Sequence, residues 1–199
     1  MTVSIVRATL LAAREALDGL LSSERQLERI HRASEMLCDA LGSGGRVFSC
    51  GNGGSMCDAM HFAEEMTGRF RNNRPGLAAI AIADASHMSC VANDFGYDSV
   101  FSRYLESHGR RDDVLLAIST SGKSPSVVNA AKAARALGMK VVALTGRSPS
   151  VLEGEVDLCV CCAAGPYADR AQELHIKVIH ILIELVERRF HPENYAQGV

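Results

Sequence analysis

Between residues 3 and 41 the hydrophobic positions fall at helical spacing. Leu10, Leu17, Leu20 and Leu21 form one stripe; after Ser22 and Ser23, which suit a helix cap, Leu27, Ile30, Leu37 and Leu41 form another. So narrow a stripe suits helix pairing, either on the chain's own domain or on a second subunit. Gly42, Ser43, Gly44 and Gly45 then stop the helix. Beyond them, short apolar runs alternate with helical segments. The runs at 46–51, 77–82, 113–118, 140–144 and 158–162 read as five strands. Helices are expected after the first strand, after a cap at Asp84 or Ser86, over 99–108, from Pro125 at the first helical position, and over 167–189. The stretch 69–76 reads as a polar turn, and the residues from Pro192 onward as a loose tail. None of the strands alternates apolar with polar, so each is buried on both faces. The expectation is a doubly wound α/β fold: a three-layer αβα sandwich around a five-stranded parallel sheet, with an N-terminal helical extension. Its organisation reads as helices at 1–41 used in packing and oligomerisation, a domain at 42–190 and a polar tail at 191–199, one structural domain overall.

Composition narrows the function more than the fold. The 199 residues carry a net charge of −2, and the basic residues are scattered, which argues against nucleic acid or an anionic membrane as partner. Hydrophobic residues make up 47% and aromatic ones 5%, which suits helices packed on an aliphatic sheet. The seven cysteines are Cys38, Cys50, Cys57, Cys90, Cys159, Cys161 and Cys162. Their odd number, and the position of several inside apolar strands, predict buried thiols in a reducing cytoplasm. Cys159, Cys161 and Cys162 lack a second cluster at zinc-finger spacing. No apolar run is long enough to span a bilayer, and the first residues lack the apolar core of a secretory leader, so a cytoplasmic location is expected.

Two loops at strand ends carry the candidate chemistry, because ligands of such sheets bind beyond the carboxyl ends of the strands. The first is Gly51, Asn52, Gly53, Gly54 and Ser55, running at once into a helix. Converging backbone N–H groups and a helix N-terminus make that turn a natural seat for an anion. It is no dinucleotide fingerprint, since Met56 stands where the third glycine belongs. The second loop is Ser119, Thr120, Ser121, Gly122, Lys123 and Ser124. It misses the P-loop pattern, with Ala117 at the first glycine and Pro125 following at once. Four hydroxyls within six residues can instead surround a phosphate, where a plain helix cap needs only one. No nucleotide cofactor is therefore expected. One or two turns into the first helix, His61 and Glu65 are spaced i and i+4 and share a face. The last helix is apolar nearly all round, so Gln172, His175 and His180 within it are costly to bury unless paired. A phosphate cradle beside a His/carboxylate pair points to an enzyme acting on a phosphorylated metabolite.

Several of these stretches together resemble the sugar isomerase (SIS) domain family: Cys50 to Ser55, Asp58 to Glu65, Asn93 and Asp94, Ile118 to Gly122, and Gln172 to His180. Within it the similarity is greatest to the phosphoheptose isomerases and runs over about residues 40–187. The resemblance implies a homotetramer with active sites at subunit interfaces. The implied reaction converts sedoheptulose 7-phosphate to D-glycero-D-manno-heptose 7-phosphate, the first step toward nucleotide-activated heptose for lipopolysaccharide core or other surface glycans. It carries phosphate binding onto Ser55, Ser119, Thr120, Ser121 and Ser124, and substrate contacts onto Asn52, Gly53, Gly54, Glu65, Asn93, Asp94, Asp169 and Gln172. It assigns the general base to Glu65 and the acid to His180, and a zinc ion, one per subunit, to His61, Glu65, Gln172 and His180. Met56 and Lys123 stand where close relatives carry His and Asn, at positions without chemistry in the family. The alternatives within the same family are an isomerase of another sugar phosphate and a non-catalytic sugar-phosphate-binding protein that associates with a replication initiator.

Overall fold

The computed structural model describes residues 2–196. Its strands are β1 (Val47–Gly51), β2 (Ala79–Ala81), β3 (Val114–Ser119), β4 (Lys140–Thr145) and β5 (Leu158–Cys161), all parallel and ordered β2-β1-β3-β4-β5. Seven α-helices surround them: α1 (Thr2–Leu21), α2 (Glu24–Gly42), α3 (Gly54–Thr67), α4 (Ala85–Phe95), α5 (Val100–His108), α6 (Pro125–Ala136) and α7 (Ala168–Phe190). The doubly wound sandwich expected from the sequence is the fold observed.

Two cores explain why the strands read as unbroken apolar runs. Val114, Leu116 and Ile118 of β3 point into a core shared with α2, α3 and α7, whereas Leu115 and Ala117 point into one shared with α4, α5 and α6. Both faces of the central strands β1 and β3 are thus dry, and both demand hydrophobic side chains. The largest fully buried side chains, including Phe48, Phe62 and Phe101, lie in these two layers.

Local expectations hold with a few differences. Pro125 opens α6, and the Asp84 side chain caps α4 by accepting the His87 N–H at 2.8 Å. Ser23 stands at the start of α2 without a capping bond from its side chain. β2 is shorter than the run at 77–82, because the Leu77 N–H bonds to the Met66 carbonyl at the end of α3. The tail is not loose over its described part. Residues Pro192–Tyr195 form a 3₁₀ turn, and the Tyr195 hydroxyl donates to Glu187 at 2.8 Å. Residues 197–199 lie outside the described region.

The two N-terminal helices differ in their burial. α2 buries Ile30, Ala33, Leu37 and Ala40, but α1 buries only Leu20. α1 leaves Val3, Ile5, Leu10 and Leu21 at least 64% exposed. Among the described residues no helix is long and apolar enough to cross a membrane.

α2 has a second task at the sheet edge. β5 is an outer strand, and its unpaired backbone groups are met by side chains: Arg29 donates to the Cys159 carbonyl at 2.9 Å, and Gln26 accepts the Cys161 N–H at 3.0 Å. Removing the Gln26 amide strands a part-buried N–H, which costs about 1–3 kcal/mol. Gln26→Ala is therefore expected to lower the unfolding free energy by that amount in urea titration, with an unchanged m-value; unaltered stability would show that water serves this edge equally well.

Candidate active site

The strand order brings the two sequence-identified loops together. β1 and β3 are neighbours, with Gly51 opposite Ile118, so the turns that leave them lie side by side at the carboxyl edge. Their helices then pass to opposite faces, α3 to one and α6 to the other. That divergence opens the crevice in which sheets of this order bind ligands.

The first loop is tight for a steric reason. A Cβ at Gly51 would lie within 2.8 Å of the Ser55 backbone, and Gly53 has φ +55°. Asn52 is held at both ends of its amide: its Nδ2 donates to Ser126 Oγ at 2.9 Å, and the Tyr97 hydroxyl donates to its Oδ1 at 3.0 Å. Sequence reasoning missed Tyr97 and Ser126, since neither belongs to a local motif; only the fold brings them to Asn52. Ser55 is buried in the first turn of α3.

In the second loop Ser121 Oγ accepts the Lys123 N–H at 3.2 Å, and Gly122 turns the chain with φ +62°. Ser124 occupies the helix-cap position of α6, yet its side chain makes no capping bond. Next to this loop a cavity of about 270 Å³ reaches the start of α7, with Thr120, Ser121, Lys123 and Arg147 on one side and Tyr167 and Ala168 on the other. Asp169 stands exposed in the first turn of α7, 3.6 Å from Arg170. Asn93 and Asp94 bond to each other at 2.8 Å on the exposed last turn of α4, whose Val91 packs into the core on the opposite face of the sheet from α3.

Two helices carry the remaining candidates. α3 and α7 run side by side on the same face, both leaving the carboxyl edge. His61 Nε2 lies 3.1 Å from His180 Nε2 and 3.5 Å from Glu65 Oε1, and Glu64 Oε1 is 3.8 Å from His61 Nδ1. Phe70 leans on the His180 ring, with centroids 5.6 Å apart. Burial, then the neighbouring Glu64, pushes the Glu65 carboxyl above its ordinary pKa. Burial, then His61 and Lys177, holds His180 below the ordinary imidazole range, so it is neutral near pH 7. A more basic carboxylate beside a neutral imidazole is the pairing that proton transfer at carbon requires. Below them Asp58 keeps one buried carboxylate oxygen without a partner, and burial raises its pKa to about 6 against the pull of His61.

Gln172 does not join this group within one protomer. It stands eight residues before His180 on α7, a rise of about 12 Å. Its amide packs instead against Gly54, where an added Cβ would come within 2.3 Å of Nε2. Of the four expected metal ligands, His61 meets both Glu65 and His180, and Gln172 lies about two turns away. The three that meet suit a divalent ion in their chemistry: a tetrahedral zinc with nitrogen and oxygen ligands at about 2.0–2.2 Å sets its ligands some 3.3 Å apart. The separations of 3.1 and 3.5 Å fall on either side of that value. His61, Glu64 and Glu65 offer a set of ligand atoms that all lie within 4.8 Å of one another.

A sheet of this order with two anion-suited loops at its switch point defines a doubly wound α/β domain with a ligand crevice at its carboxyl edge. The profile of the SIS domain matches residues 13–146, and the chain belongs to that family. Its similarity to particular members is high. It is 56% identical over 188 residues to the phosphoheptose isomerase of Klebsiella pneumoniae, covering 94% of this chain and 97% of that one. It is 55% identical over 184 residues to that of Yersinia pestis, covering 92% and 95%. The solved phosphoheptose isomerase of Neisseria gonorrhoeae superposes with a TM-score of 0.87 at 36% identity, over 94% of this chain and 99% of that one.

One side chain of α7 is left without partners. His175 is fully buried, and neither ring nitrogen has a hydrogen-bond partner. Burial pushes its pKa down to about 4, against a weaker opposite pull from the Thr145 backbone. A lowered pKa means that the folded state resists protonation. This contribution is complete above the ordinary value near 6.5 and is lost as the pH falls from there toward 4. The loss between pH 7 and pH 5 is expected to be about 2 kcal/mol. Urea denaturation at the two pH values measures it, and His175→Gln should lack this component.

Proposed function

We propose that this chain interconverts sedoheptulose 7-phosphate and D-glycero-D-manno-heptose 7-phosphate, as an aldose–ketose isomerase that feeds synthesis of activated heptose. The observation that carries this reading is the meeting of His61, Glu65 and His180 on two helices that leave the carboxyl edge of the sheet. High identity to phosphoheptose isomerases over more than nine-tenths of the chain supports the choice of sugar.

The sugar phosphate is gripped at its far end by Ser55, Ser119, Thr120, Ser121 and Ser124, with backbone donors of Gly53 and Gly54. Such remote binding orients the small reacting end. Asn52, Asn93, Asp94, Asp169 and Gln172 contact the sugar hydroxyls. Glu65 takes a proton from C1, and His180 gives one to the C2 oxygen, which leaves a neutral enediol. His180 then takes up the O1 proton as the C1 carbonyl forms, which restores its own, and Glu65 returns its proton to C2. His61 lies between the two and orients both.

The reading includes one zinc ion per subunit, which His61, Glu65 and His180 would hold, with Gln172 as the fourth ligand of the expected set. Bound there, zinc would polarise the sugar oxygens as a Lewis acid. It also includes a cytoplasmic homotetramer whose active sites lie between subunits, with α1 and α2 in its contacts. α1 supports this: Val3, Val6, Leu10 and Leu11 line one groove along it and are all exposed, an apolar surface of the kind that marks an interaction site.

Glu65→Gln and His180→Gln should each lower turnover roughly a hundredfold or more while leaving sugar-phosphate affinity nearly intact. The wild-type enzyme should incorporate deuterium from solvent at C1 of sedoheptulose 7-phosphate. Near-normal turnover in either variant, or product without exchange, would sink the assignment. For the metal, His61→Ala should release zinc detectable by elemental analysis in the purified wild type; equal content in both proteins would contradict the ligand set.

A further inference from the structure

Beyond the reacting groups lies a polar network that nothing in the proposed chemistry uses. Arg74 and Glu187 are both buried, and Arg74 Nε donates to Glu187 Oε1 at 2.7 Å. The rest of the guanidinium collects carbonyls at the end of α3: Nη2 donates to Glu65 O at 2.7 Å, and Nη1 to Met66 O at 2.7 Å and Gly68 O at 2.9 Å. A helix end leaves its last carbonyls unpaired, and here one buried cation satisfies them. The other oxygen of Glu187 accepts the Tyr195 hydroxyl. Burial and the facing Glu187 push the Tyr195 pKa upward, so it stays a donor.

The C-terminal turn is itself fastened to the loop that carries Arg74. The Tyr195 ring lies under Arg188, 4.2 Å from its guanidinium carbon, with Arg71 at 5.9 Å. Asn72 donates to Asn194 O at 3.1 Å, and Asn194 donates to Asn73 O at 3.3 Å. Glu187 stands seven residues beyond His180 on the same helix. A continuous set of bonds therefore runs from Tyr195 through Glu187 on α7 to Arg74 and the carbonyl of Glu65 on α3.

We propose that Arg74, locked by Glu187 and Tyr195, is a positioning residue that fixes the Glu65 turn of α3 against the His180 helix. A buried ion pair is a weak source of stability, but its loss leaves uncompensated charge, so this one has a single low-energy geometry. The proposal rests on Glu65 being the base, and the test separates the two. Tyr195→Phe removes one hydroxyl; Arg74→Lys keeps the charge but cannot span Glu187 and three carbonyls in one plane. In both, kcat is expected to fall roughly tenfold or more with KM within a factor of about two. Amide hydrogen exchange in peptides covering 62–78 should quicken while the sheet strands stay protected. Should Arg74→Lys fail to fold, Tyr195→Phe decides. An inactive Glu65→Gln together with unchanged kcat in folded Tyr195→Phe overturns the positioning role alone. A fully active Glu65→Gln overturns the base and the coupling with it.

Discussion

The pairing of β1 with β3 is the constraint on which the rest depends. Two parallel strands at adjacent positions, with Gly51 opposite Ile118, send their loops off the same edge. Because α3 and α6 then leave for opposite faces, neither helix can close the gap between the loops. The glycine turn and the hydroxyl loop are neighbours for that reason, and α7, which follows β5, brings its N-terminus up to both. Each loop is ordinary; their adjacency makes a crevice suited to an anion.

The proposed chemistry sits away from that place, on the α3/α7 pair. Running both helices from the same edge lets each residue of one meet a fixed counterpart on the other: Gly54 with Gln172, His61 with His180, the end of α3 with Glu187. Dry surroundings set the electrostatics. Burial, aided by Glu64, makes Glu65 a stronger base, and burial, aided by His61 and Lys177, makes His180 a weaker one, so the two are drawn together in proton affinity.

Local features were legible in the sequence. Five apolar runs without alternation define a sheet buried on both faces, and the glycine and serine clusters mark its ligand edge. His61 and Glu65 pair because a helix repeats its face every four residues, a rule that needs no tertiary knowledge. What escaped depends on contacts across long stretches of chain. Tyr97 reaches Asn52 from 45 residues away, and Arg74 meets Glu187 across 113. Arg74 lies in a polar stretch that reads as solvated turn, and Tyr195 in a tail that reads as loose; burial reverses both. The ligand set that the resemblance implies joins Gln172 to His180, yet eight residues of helix hold them about 12 Å apart along its axis.

The cover over β5 has a bearing on how the chain survives its own synthesis. An open strand edge is a template on which another molecule can add a strand, and here Gln26 and Arg29 occupy it. Both precede β5 by more than a hundred residues. The guard is made before the edge it guards, so the last strand of the sheet emerges to find its outer side already spoken for, and the interval in which it could seed aggregation is short.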